Sequence, residues 1–189
     1  MADLKLAERT HPLYDDNSGV WELYYDAAKG GDNFINSNNL FSHRLEDGTD
    51  FDQRLDRAYF LNYCDTLPQI YNTYIFKSSI ERSPDDNLTL FRNNTDGIST
   101  PITEFVKKAG YLASVYGVIH CLVDITESSK KTPTLADFKA EGIQPYCTLV
   151  HPTQLKDWSV DSKGNYNWII IEFEYYEDLD PKKERTTKT

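Results

Sequence analysis

The side chains best suited to binding a metal are two histidines and two cysteines. His120 and Cys121 adjoin in one predicted strand, and Cys147 precedes His151 by four residues in and after another. Two thiolates and two imidazoles would complete a tetrahedral zinc shell, although only Cys147 and His151 have a spacing like that of a ligand pair. Successive strand residues project to opposite faces, so His120 and Cys121 cannot both reach one ion without a bulge. The sequence therefore predicts packed strand residues and no metal site. Asp124, at the end of the first strand, stands where α/β enzymes hold ligands, beyond the carboxyl ends of strands. A small hydrolase would use it with His120 or His151. No nucleophile elbow, metalloprotease helix or oriented Cys-His pair accompanies it. Gly30-Gly31 follows a helix and lacks the third glycine and Lys-Ser/Thr of a phosphate cradle. The expectation is a structural Asp124 bonded to backbone or a lysine, with no catalytic residue, no cofactor and no enzyme activity.

A third cluster points to contact rather than chemistry. Trp21, Tyr24 and Tyr25 fall on one stripe of a predicted helix. Such a stripe serves either as ordinary core or as an intersubunit surface, and these three residues are the candidate interface.

The elements that position these residues are legible from periodicity. A helix over about 18–29 has Ser18 as its cap and Gly30-Gly31 as its stop. Residues 32–48 read as a loop packing Phe34, Ile35, Leu40 and Phe41. A second helix over about 50–64 begins at Asp50, with Gln53 answering it in a variant capping box. Pro68 predicts a kink or fresh start, and a third helix over about 68–80 presents Ile70, Tyr71, Tyr74 and Ile75. The firmest helix is 101–116, where Thr100 is placed to cap, Pro101 suits the first position, and Ile102, Phe105, Val106, Ala109, Leu112, Ala113 and Tyr116 keep one face apolar. Residues 118–125 read as a strand buried on both faces. A short helix between Thr134 and Gly142, a strand over 145–150, and a hairpin within 157–176 about Asp161-Ser162-Lys163-Gly164 complete an α+β chain. The second arm of that hairpin alternates, with one buried face. The expected organisation is a flexible arm over 1–17, a single domain over 18–176 and a charged tail or truncated connection over 177–189.

Composition narrows the function. The 189 residues carry 30 acidic and 20 basic side chains, a formal charge of −10. Removing tyrosine from the hydrophobic residues and adding glycine gives about 37% apolar, below the roughly 45–50% of globular domains. Against that thin core stand 13 Tyr, 9 Phe and 3 Trp, rings suited to surfaces that are wet alone and covered in a complex. The charge argues against sequence-reading of nucleic acid, which relies on Lys and Arg. The longest bulky run, Trp168 to Ile171, is far short of a membrane span, so no membrane partner is expected. Nor do the first ten residues read as a signal peptide. Three cysteines cannot all pair, which suits a reducing compartment.

Read in order, Val20-Trp21-Glu22-Leu23-Tyr24-Tyr25-Asp26-Ala27-Ala28-Lys29-Gly30-Gly31 and then Asp52-Gln53-Arg54-Leu55-Asp56-Arg57-Ala58-Tyr59 resemble the opening of tailed-phage and prophage portal proteins. So do Tyr116-Gly117, Leu122-Val123-Asp124, Gln144-Pro145-Tyr146, and His151-Pro152 running into Leu155-Lys156-Asp157-Trp158. The resemblance covers nearly the whole chain through helix faces and turn residues. It implies a portal wing-like fold and a homo-oligomeric ring, typically a dodecamer, at one capsid vertex. The implied partners are the major capsid protein, the terminase large subunit, neck or adaptor proteins, and double-stranded DNA in transit without sequence specificity. Its implied location is the virion, after assembly in the bacterial cytoplasm. Portal subunits have stem, clip and tunnel elements that do not follow Tyr176, so the resemblance implies a truncated subunit. The alternative is a stand-alone head-tail connector or vertex adaptor.

Overall fold

The computed structural model describes residues 8–83, 88–130, 132, 134–177 and 186–188. The fold is α+β, as the periodicities predict. Its strands form three two-stranded antiparallel sheets among the described residues. Where the sequence suggests one domain over 18–176, the chain divides into two compact units. One is Leu23–Val150, and the other joins Met1–Glu22 to His151–Thr189.

Helix α1 (Pro12–Lys29) starts six residues ahead of Ser18 and takes up much of the stretch expected to be a flexible arm. Pro12 presets the helical φ at the first position, where its missing N–H costs nothing. His11 does the capping: its Nδ1 accepts the Leu13 N–H at 3.1 Å, and its carbonyl accepts from Tyr14 at 2.8 Å. The arm's first residues, 1–7, lie outside the described ones.

In the unit containing both chain ends, residues 8–14 lie on the hairpin of β3 (Leu155–Val160) and β4 (Tyr166–Ile171). The His11 amide donates to the Lys156 carbonyl at 2.9 Å, and its ring stacks on Trp158 at 3.9 Å. Arg9 pairs with the buried Asp157 carboxylate and lies 4.7 Å over the Trp168 ring. Tyr14 is buried, its hydroxyl donating to the Thr153 carbonyl and accepting from Lys156 Nζ. The turn forms at the expected place: Asp161 Oδ1 accepts the Lys163 and Asn165 amides, and Gly164 takes φ 85°. The expected 165–176 arm is broken after Ile171. Tyr175–Glu177 (β5) instead pairs with Thr186–Lys188 (β6), so the stretch read as a charged tail supplies a strand. The expected buried face of that arm is also lost, since Ile169 and Phe173 are exposed.

The other unit is organised on α6 (Ile102–Tyr116). Phe105, Leu112 and Tyr116, at i, i+7 and i+11, form its buried stripe. Pro101 holds the cap position without a side-chain bond, while Thr100 instead gives its carbonyl to the Thr95 amide at 2.8 Å. Gly117 closes the helix in the left-handed region, as expected. The presumed loop over 32–48 contains a short helix, α2 (Gly31–Asn36), that buries Ile35. Helix α3 (Gly48–Arg57) is capped by Asp47 rather than Asp50 and ends at Ala58, well short of residue 64. The chain is extended at Ala58 and turns tightly about Asn62, where the Tyr63 amide donates to the Leu61 carbonyl at 2.9 Å; Asn62 Oδ1 accepts the Asp65 amide and starts α4 (Tyr63–Ile75).

Pro68 thus lies inside α4, not at its start, and the helix stops at Ile75 rather than 80. The Asn62 cap and two ties to α6 outweigh the one i→i−4 bond that proline removes: Tyr111 Oη donates to Asp65 Oδ1 at 2.6 Å, and Asn72 Nδ2 donates to the Lys107 carbonyl at 3.0 Å. Helix α5 (Thr89–Asn93) and α7 (Leu135–Glu141) are short, α7 having the Thr134–Asp137 capping box its sequence predicts. Strand β1 (His120–Ile125) pairs antiparallel with β2 (Pro145–Val150). It is not buried on both faces: Val123 is 64% exposed. Double burial needs a layer on each face, and this two-stranded sheet has none over Val123 or Ile125.

Candidate functional site

The candidate zinc ligands divide as the strand geometry requires. Cys121 opposes Leu149 and Val123 opposes Cys147, so the two thiols are diagonal neighbours on one face, while His120 points to the other. Burial and the adjoining Cys121 thiol push Cys147 up to about 11, which keeps it protonated and weakly nucleophilic at neutral pH. Burial lowers the His120 pKa. Among the described residues no group of three His, Cys, Asp or Glu stands close enough to hold a metal ion.

Asp124 bonds to backbone and to a neighbour. Its Oδ1 accepts the Ile125 amide at 2.7 Å, and Tyr146, opposite it in the register, donates to Oδ2 at 3.2 Å. The Asp124 charge raises the Tyr146 pKa. His120 lies four residues back along the strand, about 13 Å away, too far for an acid–base pair.

The three aromatic residues of α1 meet different fates. Trp21 is half-buried with Tyr14, their rings 6.1 Å apart. Tyr25 stacks parallel on Tyr116 at 6.1 Å and carries Lys29 Nζ over its ring. Tyr24, 46% exposed, is left uncovered next to the exposed Leu23. Of the three residues of the predicted interface Tyr24 is the most exposed, Tyr25 is exposed as well despite its stacking on Tyr116, and Trp21 is half-buried within its own unit.

One feature escaped the sequence reading, and a second was legible as an apolar face but not in its direction. The stretch before α6 is a tight polar hub around Thr95, which is 1% exposed. Thr95 Oγ1 donates to the Phe91 carbonyl, and the Thr95 carbonyl accepts the Cys147 amide at 2.7 Å. Asp96 Oδ1 accepts the Ile98 and Thr100 amides. Although burial raises the Asp96 pKa, the Thr100 side chain and those amides more than offset it and hold the carboxylate below its usual range. The run Asn94-Thr95-Asp96-Gly97 was the available signal, because Asx and Thr side chains bond local backbone. The second feature is the outer face of α4, whose large apolar side chains are exposed and none of whose residues is buried.

The α4–α6 contact has a pH signature. Burial, then the bond to Asp65, pushes Tyr111 up to about 12, and burial does the same to Tyr116. Both pKa values are raised, so the stability they contribute is fully present below about 10, the unfolded tyrosine value, and is lost as pH rises through about 12. Ultraviolet titration is expected to show a late-ionising tyrosine fraction that shrinks in Tyr111→Phe. Ionisation of every tyrosine near pH 10 would contradict this packing.

No protein-family model matches the chain, and no curated protein matches it. No helix of the described residues is long and apolar enough to cross a membrane.

Proposed function

We propose that this chain is a structural subunit of a phage portal ring, which forms the channel for genome packaging and ejection and the platform on which terminase and neck proteins dock. One observation carries the reading beyond the resemblance. Among the described residues nine hydrophobic side chains are buried, whereas twenty-nine large ones are exposed. A domain that works alone covers most such surface; one that works in an assembly leaves it for its neighbours. In this reading Tyr24, with Leu23, meets an adjacent subunit or the surrounding capsid protein. The charge of −10 suits a conduit, since a net acidic wall repels the phosphate backbone and lets duplex DNA slide. The subunit acts by shape and contact and transforms no substrate.

Negative-stain imaging and mass photometry of the purified chain test this. The expected result is a closed annulus, depleted at least tenfold by Tyr24→Asp while circular dichroism is unchanged. A small open oligomer would favour the adaptor reading, and a monomer with turnover would end the structural one.

A further inference from the structure

Helix α4 is assembled inside out. The residues that tie it to α6 are Asp65, which accepts from Tyr111, and Asn72, which donates to the Lys107 carbonyl. Phe76, just past the helix end, lies on the same side, close to Gly110. At 100° per residue these positions define one side of the helix. The opposite side carries Tyr63, Leu67, Ile70 and Tyr74, spaced 4, 3 and 4 apart, with Tyr71 and Ile75 along one flank. That spacing is the a/d seam of a helix built to receive another helix. The face a lone domain would turn inward is therefore the one turned away from its neighbour.

The six side chains are between 45% and 72% exposed. At about 200 Å² for a fully exposed side chain of this size, they present roughly 750 Å². A typical monomer's largest apolar patch is about 300–600 Å², and each partner in a standard interface contributes about 800 Å². The face is large enough to hold a specific partner by itself.

Charge selects the partner. The one ionisable carboxylate of α4, Asp65, is turned to Tyr111, and the outward seam has no Lys, Arg, Asp or Glu. A phosphate backbone would find no cation here, and a charged peptide no counter-ion. Two copies of a chain at −10 repel each other almost everywhere, but they can meet on an uncharged aromatic and aliphatic seam without opposing like charges. We propose that the outward face of α4 is a self-association surface, occupied by a helix of a second copy of this chain. This goes beyond the ring reading, because a dimer satisfies it as well as an annulus.

The test is sedimentation velocity on the 189-residue chain and on Leu67→Asp/Ile70→Asp, with circular dichroism to check helicity. The unmodified chain is expected to self-associate with concentration. The charged variant should stay helical and monomeric at concentrations at least 100-fold higher. A milder Leu67→Ala/Ile70→Ala pair, which keeps good helix formers on an exposed face, should weaken association roughly tenfold and covers the case in which the charged variant misfolds. Association unchanged in a folded variant of either pair overturns the proposal, as does an unmodified chain that is monomeric throughout. The two readings fail separately. Dimers without an annulus sink the ring and leave this surface standing, whereas an annulus intact in the folded charged variant sinks this surface and leaves the ring.

Discussion

Phe105→Ala is expected to lower unfolding stability by about 3–5 kcal/mol, the usual cost of emptying a buried phenylalanine site. Phe105 is 8% exposed and begins the stripe that continues through Leu112 and Tyr116 on α6. The loss combines the transfer of the ring to water with a cavity that the surrounding helices fill only partly. Small domains have total stabilities of about 5–15 kcal/mol, and the nine buried hydrophobic side chains among the described residues give little reserve. Urea unfolding followed by circular dichroism should show the midpoint falling steeply. Val106→Ala, one residue on and exposed, is expected to cost less than about 1 kcal/mol. Equal effects at the two positions would mean that α6 faces its neighbours with a different side.

Gly30→Ala should cost about 2–4 kcal/mol, although glycine has no side-chain contact of its own to lose. Gly30 has φ 64° and ψ −167°, a region that is essentially glycine's alone, and occupying it costs other residues about 1–3 kcal/mol. A Cβ there would also lie 2.5 Å from Asn62 Nδ2. That amide donates to the Ala28 carbonyl at 2.8 Å, and the same side chain's Oδ1 caps α4. Displacing Asn62 adds the loss of a cap, typically about 1 kcal/mol. Gly19 is the contrast. It lies inside α1 without positive φ, and a Cβ there would meet nothing within 4 Å. Gly19→Ala is therefore expected to stabilise by about 0.5–1 kcal/mol. Thermal denaturation of the two variants should move the midpoint in opposite directions.

These positions also show how far the sequence could be read. Helix α6 was legible because seven apolar residues at helical spacing sit between Pro101 and Gly117, and local and tertiary preferences agree. The α7 capping box and the Asp161–Gly164 turn were legible for the same reason, each being set by a few adjacent residues. The errors arise where distant residues decide. Pro68 looked like a boundary because its local preference is to break a helix, yet Tyr111 and Lys107, some forty residues away, hold α4 together across it. His11 was not recognised as a cap, since its role depends on pairing with β3. At the candidate site, the stripe of Trp21, Tyr24 and Tyr25 could be located but not apportioned. Which ring is covered depends on Tyr14, one heptad ahead of Trp21 but before the predicted start of the helix at Ser18, and on Tyr116, on a different helix. The α4 seam was visible as an apolar face, but its direction was not, because no rule of periodicity predicts a helix that docks through aspartate and asparagine.

The unit that joins Met1–Glu22 to His151–Thr189 has a consequence for biosynthesis. Translation is vectorial, and domains generally consolidate as their residues leave the ribosome. Arg9 and Tyr14 are made well ahead of their partners, because Asp157 and Thr153 follow only after everything in between. Through that interval the nascent chain trails an aromatic stretch with nothing to dock against, which makes it a natural client for holdase chaperones.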